Sequence, residues 1–205
     1  MKPLQVAIAV LILALLAAGG IILLRQSKIG PKPIGQITKP SSAVKVESKM
    51  KLASSAFSDN QSIPAKYTCD GVNISPPLTI SEIPENAQGL VLIVDDPDAP
   101  AGDWVHWTVF NIDPAMTEVT EGTVPTGGVE GMTDFGKTGW GGPCPPASPK
   151  SQRGEPSGTH RYQFKLYALD TTLELGSSAK KQDIGEAMQG HILDQTLLIG
   201  LYQRG

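Results

Sequence analysis

Apolar residues in the body of this chain occur in short runs that predict β-strands. Residues 90–94 form an unbroken apolar run rich in β-branched side chains, which is typical of a strand buried on both faces. Residues 104–111 form a second, mainly apolar run, and residues 162–170 alternate between apolar and polar side chains as a half-buried strand does. Residues 197–202 predict a last strand, and residues 52–57 predict a first strand or its lead-in.

Helical spacing is found near the C-terminus, within residues 183–193. The two glycines in this segment weaken the helix that the pattern predicts, which should therefore be short. The apolar positions that define its buried face are Ile184, Ala187, Met188 and Ile192.

The composition supports a mainly β fold. The chain contains 22 glycines and 17 prolines, and only 5% of its residues are aromatic. Such turn-rich material is typical of a β-sandwich or barrel. Residues 51–205 are expected to form one domain, which is large enough to bury most of its apolar surface without covalent cross-links.

The N-terminal segment predicts a membrane anchor over residues 1–24. Residues 4–24 contain no charged side chain. As a helix they would be about 31 Å long, which matches a bilayer core of about 30 Å. A secretory signal peptide cut after Ala17 or Ala18 is the alternative. Against it, residues 21–24 continue the apolar run beyond that point.

Residues 25–50 form a basic linker with several prolines and glycines. This segment contains six Lys and Arg residues against one Glu, and its prolines predict a semi-extended tether. Positive charge directly after the span favours a single-pass protein whose soluble domain faces the cytoplasm. Placement of that domain outside the cytoplasm is the alternative, and would require the short N-terminal end to dominate.

The charge of the body excludes one class of partner. Residues 51–205 contain ten basic side chains against nineteen acidic ones, which leaves this part nine charges negative. Nucleic-acid-binding domains present basic patches to phosphate backbones. We therefore expect no nucleic-acid partner.

Acidic side chains and a histidine occur at neighbouring strand ends. Three aspartates and two prolines lie within residues 95–100, directly after the buried run, and this composition predicts a loop. The next strand contains His106 between two tryptophans. Carboxylates and an imidazole at the ends of core strands indicate a candidate site.

Five segments closely resemble motifs of the phosphatidylethanolamine-binding protein family, in its bacterial and archaeal Raf-kinase-inhibitor-like branch. In chain order they read YTCDGVNISPPL, DDPDAP, WVHW, GKTGWGGPCPP and GTHRY. The motifs occur in the order typical of the family, and the resemblance covers essentially all of residues 51–205. The resemblance implies a Greek-key β-sandwich of two antiparallel sheets with short helices near the C-terminus. It also implies a small pocket for phosphate-type anions and phospholipid headgroups.

The resemblance also assigns residues to that pocket. His106 and His160 are expected to contact the anion, and the segment 142–146 to form a wall. Arg161 is expected to support the pocket without facing the ligand. The complete set of predicted ligand-binding residues is Asp96, Asp98, Trp104, His106, Gly142, Pro143, His160 and Tyr162.

The chemistry of these residues fits an anion. Two histidines can direct hydrogen bonds at one phosphate, and neighbouring carboxylates favour their protonated forms. Residues 141 and 142 are glycines, which would let backbone N–H groups approach a phosphate. The structural alternatives are that Asp96 and Asp98 only form a turn and that His106 is a core histidine.

Motifs for catalysis and metal binding are not recognised in this sequence. It contains no nucleophile elbow, phosphate-binding P-loop or H-E-x-x-H zinc motif. The prediction is therefore a non-catalytic binding module without cofactor or metal. The alternative function is inhibition of a protease or kinase through surface loops such as residues 147–159, a segment longer than in many relatives.

The two cysteines, Cys69 and Cys144, are 75 positions apart and lie within the family-like motifs. A cytoplasmic domain would keep both as free thiols, whereas an oxidising compartment would allow a disulfide. The sequence leaves both states open.

Overall fold

The computed structural model describes residues 48–146 and 158–204. The predicted anchor at residues 1–24, most of the predicted linker and most of the loop 147–159 lie outside these ranges. Within them, no helix is both long enough and apolar enough to cross a bilayer.

The described residues form a mainly β fold with two sheets. The strands are β1 (Lys51–Ala53), β2 (Gln61–Ser62), β3 (Leu78–Ser81), β4 (Gly89–Asp96), β5 (Trp104–Ile112), β6 (Glu118–Val119), β7 (Val129–Glu130), β8 (His160–Leu169) and β9 (Ile192–Tyr202). The smaller sheet has the order β1-β3-β6, and the larger has the order β2-β9-β8-β4-β5-β7. The predicted two-sheet β fold is confirmed. One detail differs, since β2 runs parallel to β9 and the larger sheet is not purely antiparallel.

Strand β4 lies at the centre of the larger sheet and is buried along its whole length. Its side chains alternate between two apolar clusters, because successive residues of a strand point to opposite faces. Leu90, Leu92 and Val94 pack into the cluster shared with the smaller sheet. Val91 and Ile93 pack into a second cluster on the opposite face. This double burial explains why the strand reads as a continuous apolar run.

The α-helix of the described residues, α1, covers the second cluster. It spans Lys181–Ala187, and Ile184 is its fully buried contact with the sheet. The predicted helix was too long at its C-terminal end. Gly190 adopts a positive φ of 82°, which reverses the chain, and Ile192 then begins β9 with 44% of its surface exposed. A single 3-10 turn, Ala65–Tyr67, precedes β3.

The folded body begins before residue 51. The Met50 side chain is only 2% exposed, and the backbone N–H groups of Lys49 and Met50 each donate to Asp194 Oδ2 at 3.0 Å. Met50 therefore belongs to the folded body and not to the linker, where the sequence placed it.

Candidate functional site

Three neighbouring strands bring the predicted site residues together. In the larger sheet, β4 lies between β8 and β5, and Asp96 at the end of β4 pairs in register with Trp104 at the start of β5. His160 is the first residue of β8, and His106 lies two residues into β5. These strand ends surround a cavity of about 290 Å³ lined by Asp96, Ala99, Pro100, Ala101, Trp104, His106, Phe135, Cys144, Pro145, Pro146, His160 and Tyr162.

Asp96 and His160 form a buried pair at this cavity. The Nδ1 atom of His160 lies 2.7 Å from Asp96 Oδ2, and the two side chains are 6% and 4% exposed. The other carboxylate oxygen accepts the backbone N–H of Asp98 at 2.9 Å. Because a carboxylate only accepts, Nδ1 donates the proton, and Nε2 is left as the ring nitrogen for a ligand.

His106, like His160, is held by the protein through its Nδ1 atom. Its Nδ1 donates to the carbonyl oxygen of Gly141 at 2.5 Å. Burial lowers the pKa of His106, and the Gly141 hydrogen bond and the charges of Asp96 and Asp95 oppose this effect only partly. The neutral imidazole therefore presents Nε2 as an acceptor. Both histidines thus have their Nδ1 atoms in protein hydrogen bonds.

Aromatic rings surround His106. Its ring meets Tyr162 edge-on at 5.1 Å between centroids and Phe135 at 5.3 Å. Trp104 packs against Phe135 in the same way, at 5.6 Å. These contacts restrict the imidazole and leave the cavity mainly apolar around a few polar atoms, as is usual for small-ligand sites.

The Tyr162 hydroxyl is a buried polar group of the pocket. The side chain is fully buried, and the hydroxyl has no hydrogen-bond partner of normal geometry among the described residues. Burial raises the pKa of Tyr162, and the nearby Asp96 carboxylate raises it further. The hydroxyl therefore stays protonated, and a ligand oxygen could accept its hydrogen bond.

Asp98 lies outside the cavity lining. Its carboxylate accepts two hydrogen bonds from the Arg161 guanidinium, at 2.7 and 2.8 Å, and one from the Arg161 backbone at 3.0 Å. The side-chain hydrogen bonds from Arg161 are the largest of the causes that lower the pKa of Asp98. The sequence left two roles open for Asp98, namely ligand binding and formation of a turn. The structure shows that Asp98 stabilises the loop. Arg161 supports the same loop, as the resemblance implied.

The wall of the pocket differs in part from the prediction. Gly142 and Pro143 are buried behind the lining, which begins at Cys144. The N–H of Gly141 donates to the His106 carbonyl at 3.0 Å, and that of Gly142 to Asn73 Oδ1 at 2.9 Å. The expectation that these amides would bind a phosphate is wrong, because protein acceptors already occupy them.

The two glycines are required by close packing instead. A Cβ atom at Gly141 would lie 2.3 Å from the Phe135 ring, and one at Gly142 would lie 2.2 Å from Asn73 Oδ1. Neither Phe135 nor Asn73 was predicted from the sequence to belong to the site. Phe135 lies in a loop without strand or helix periodicity, so pattern analysis gives no signal for it. Asn73 lies within a family-like motif, and its φ of 62° is a conformation that asparagine tolerates.

Cys69 and Cys144 form a disulfide with a Cα–Cα distance of 5.4 Å. This resolves the alternative that the sequence left open. The bond joins the loop after the 3-10 turn to the lining of the pocket, where the Cys69 N–H also donates to the Pro143 carbonyl at 3.1 Å. Among the described residues, no group of three or more His, Cys, Asp or Glu side chains is arranged to hold a metal ion.

A two-sheet β fold with a small, histidine-lined pocket at the ends of three neighbouring strands defines a ligand-binding domain. A family model described as phosphatidylethanolamine-binding protein matches residues 53–203. The chain belongs to the phosphatidylethanolamine-binding protein family.

Individual relatives agree with this assignment. A UPF0098 protein of Methanothermobacter thermautotrophicus is 50% identical over 161 residues, which are 76% of this chain and all of that protein. The crystal structure of a homologue from Chlamydia trachomatis is 41% identical, with a TM-score of 0.69 over 76% of this chain and 98% of that one. YbcL of E. coli, described as a new member of the mammalian family, is 30% identical, with a TM-score of 0.67 over 76% of this chain and 99% of that one.

Proposed function

We propose that this domain is a non-catalytic binding module for phosphate-type anions, including phospholipid headgroups. The observation that supports this most directly is the convergence of three polar groups on one small cavity, namely the imidazoles of His106 and His160 and the Tyr162 hydroxyl. Both imidazoles use Nδ1 for protein contacts. The negative charge of a bound phosphate favours the protonated form of a nearby imidazole, so in the complex the Nε2 atom of each ring could become a donor. A phosphate oxygen could then accept from the two rings and from the Tyr162 hydroxyl.

Asp96 gives the pocket a preference for a positively charged group beside the phosphate. Its buried carboxylate accepts a hydrogen bond from His160 at 2.7 Å and could also attract the ammonium group of an ethanolamine headgroup. A ligand that combines a phosphate with an ammonium group would therefore match both signs of charge. This supports a zwitterionic headgroup over inorganic phosphate.

The pocket chemistry favours binding over reaction. Among the described lining residues, Cys144 is in a disulfide, and the raised pKa of Tyr162 makes its hydroxyl a poor nucleophile. Two histidines beside an acid could move protons, but no lining group is activated to attack a bound phosphate. A protein target such as a kinase or protease stays a prediction, because most of the loop 147–159 lies outside the described residues.

Asparagine substitutions test the role of the two histidines. An asparagine amide can replace the Nδ1 donor towards Gly141 or Asp96 but has no counterpart of Nε2. We expect His106→Asn and His160→Asn each to weaken binding of O-phosphorylethanolamine roughly ten- to hundredfold, as for loss of one hydrogen bond to a charged group. Isothermal titration calorimetry gives the affinities, and urea unfolding confirms that the variants fold.

His191 supplies the matched control. Its Nδ1 also pairs with a carboxylate, Asp170, at 2.8 Å, and its side chain is 47% exposed away from the pocket lining. His191→Asn should bind as the wild type does. Unchanged affinity in both pocket variants would reject the proposed function.

We also propose that the domain is tethered to a membrane and faces an oxidising compartment. The uncharged residues 4–24 support the tether. The Cys69–Cys144 disulfide favours an extracytoplasmic domain. This reverses the preference for the cytoplasm that the basic linker indicated.

A further inference from the structure

The loop between β4 and β5, residues 97–103, forms one rim of the pocket, and we call it the rim loop. Ala99, Pro100 and Ala101 line the cavity at its centre. A turn stabilises this part, since the Gly102 N–H donates to the Ala99 carbonyl at 2.9 Å. A shift of these three residues would therefore change the shape of the cavity on this side.

The rim loop is anchored on both sides of this turn. Near its start, Asp98 is held by the bidentate contact with Arg161 of β8. At its end, the Asp103 carboxylate accepts a hydrogen bond from the Lys181 ammonium group, in the first turn of α1. The second anchor is unexpected, because α1 covers the face of the sheet opposite the pocket.

Lys181 is itself fixed by a buried charge. Its Nζ lies 2.5 Å from Asp95 Oδ2, and the Asp95 carboxylate is fully buried. Lys165 of β8 is the second partner of this carboxylate, at 2.8 Å to each oxygen. A buried carboxylate without ionic partners is strongly unfavourable, so both lysines are held in place. Lys181, with 30% of its side chain exposed, is therefore a fixed support and not a mobile surface cation.

Asp95 and Asp96 connect the two faces. They are consecutive in β4 and point to opposite sides of the sheet, so Asp96 pairs with His160 in the pocket while Asp95 pairs with the two lysines behind it. A displacement of Lys181 would release Asp103 and, through it, the rim loop. It would leave the Asp96–His160 pair intact.

We propose that Lys181 is a positioning residue for the pocket, holding the entrance at a fixed width through Asp103. This inference rests on the proposed function, since it concerns access to the same cavity. Lys181 does not line the pocket, and no motif of the sequence indicates a role for it. Its contribution is to place the apolar side chains of residues 99–101 against the ligand.

Three variants separate this role from a general loss of stability. Lys181→Met removes one partner of Asp95 and the only described partner of the Asp103 side chain. Lys165→Met removes the other partner of Asp95 and leaves Asp103 bound, so it is the matched control. Asp103→Asn weakens the ion pair at the rim and leaves Asp95 with both lysines.

We expect Lys181→Met and Asp103→Asn each to weaken binding of O-phosphorylethanolamine roughly tenfold, mainly through faster dissociation. The double variant should lose no more than either single variant, because both changes break the same contact. Lys165→Met should keep wild-type affinity, although it should be destabilised as much as Lys181→Met. Affinities come from calorimetry, rates from stopped-flow fluorescence and stability from urea unfolding.

Hydrogen exchange of the rim loop gives a readout that needs no ligand. Amides of residues 97–103 should exchange faster in Lys181→Met and Asp103→Asn than in the wild type and in Lys165→Met. If the wild type fails to bind the probe, the proposed function is lost, and the exchange data alone decide whether Lys181 positions the loop. Equal exchange and equal affinity in the Lys181 and Lys165 variants would overturn the inference.

Discussion

Asp95 and Asp96 show how two identical neighbours acquire different roles from the pleat of one strand. Asp96 faces the pocket and pairs with a histidine, whereas Asp95 faces α1 and pairs with two lysines. The sequence indicates carboxylates at a strand end. It does not indicate their faces, because β4 is buried on both sides and its continuous apolar run distinguishes neither face. The resemblance, and not the pattern, selected Asp96 for the site.

His106 makes stability depend on pH in a defined direction. Burial holds its folded-state pKa below the ordinary value of 6.5, so at mildly acidic pH the unfolded chain binds a proton that the folded domain does not. This contribution to stability is present above about pH 6.5. It is lost as the pH falls from there towards the lowered pKa. Asp98 affects stability in a lower pH range. Its pKa is lowered in the folded domain, so its contribution to stability is lost only as the pH falls below its ordinary pKa of 3.8.

We therefore expect the unfolding free energy of the wild type to fall between pH 7 and pH 5 more than that of His106→Asn. Urea denaturation across this range measures both curves. Parallel curves for the wild type and His106→Asn would show that the buried imidazole does not control stability in this range.

At the scale of elements, the sequence predicted the long central strands well and the connections less well. The run at residues 90–94 falls inside β4, and the alternation at residues 162–170 matches the alternating burial of β8. Both succeed because burial imposes the pattern directly. Strand β9 was predicted only from residue 197. Its first residues are mostly exposed or half-buried, so they follow no regular apolar pattern.

The errors around the pocket wall also arise where burial imposes no regular pattern. The segment 142–146 lies in irregular backbone, fixed by single contacts such as those of Asn73 with Gly142 and Cys69 with Pro143. Periodicity does not report such contacts. The rim loop was predicted as a loop from its prolines and aspartates, but its attachment to α1 joins residues 78 positions apart. Only the tertiary structure reveals that connection.

For the whole molecule, the disulfide is the feature that bears on location. The bond joins residues 75 positions apart and should stabilise the domain by about 2–4 kcal/mol. A cytoplasmic location would keep these thiols reduced in most organisms. The disulfide and the basic linker therefore favour opposite sides of the membrane.

Thiol labelling of the full chain in cells decides between them. If the domain is extracytoplasmic, Cys69 and Cys144 in denatured extracts should react with a thiol reagent only after a reductant is added. A reporter at the C-terminus should then be active outside the cytoplasm. Immediate labelling of Cys69 and Cys144, with a reporter active inside, would contradict the proposed orientation. In vitro, reduction of the disulfide should lower the free energy of unfolding by about 2–4 kcal/mol.

The central claim is that His106 and His160 contact a phosphate-type ligand through their Nε2 atoms. Imidazole nitrogen NMR of the wild-type domain during a titration with O-phosphorylethanolamine tests it most directly, because the three histidines of the chain are few enough to assign. We predict that the Nε2 signals of His106 and His160 shift together and saturate, while those of His191 stay constant. Saturating binding without a shift at either pocket histidine would contradict the claim, and so would equal shifts at all three.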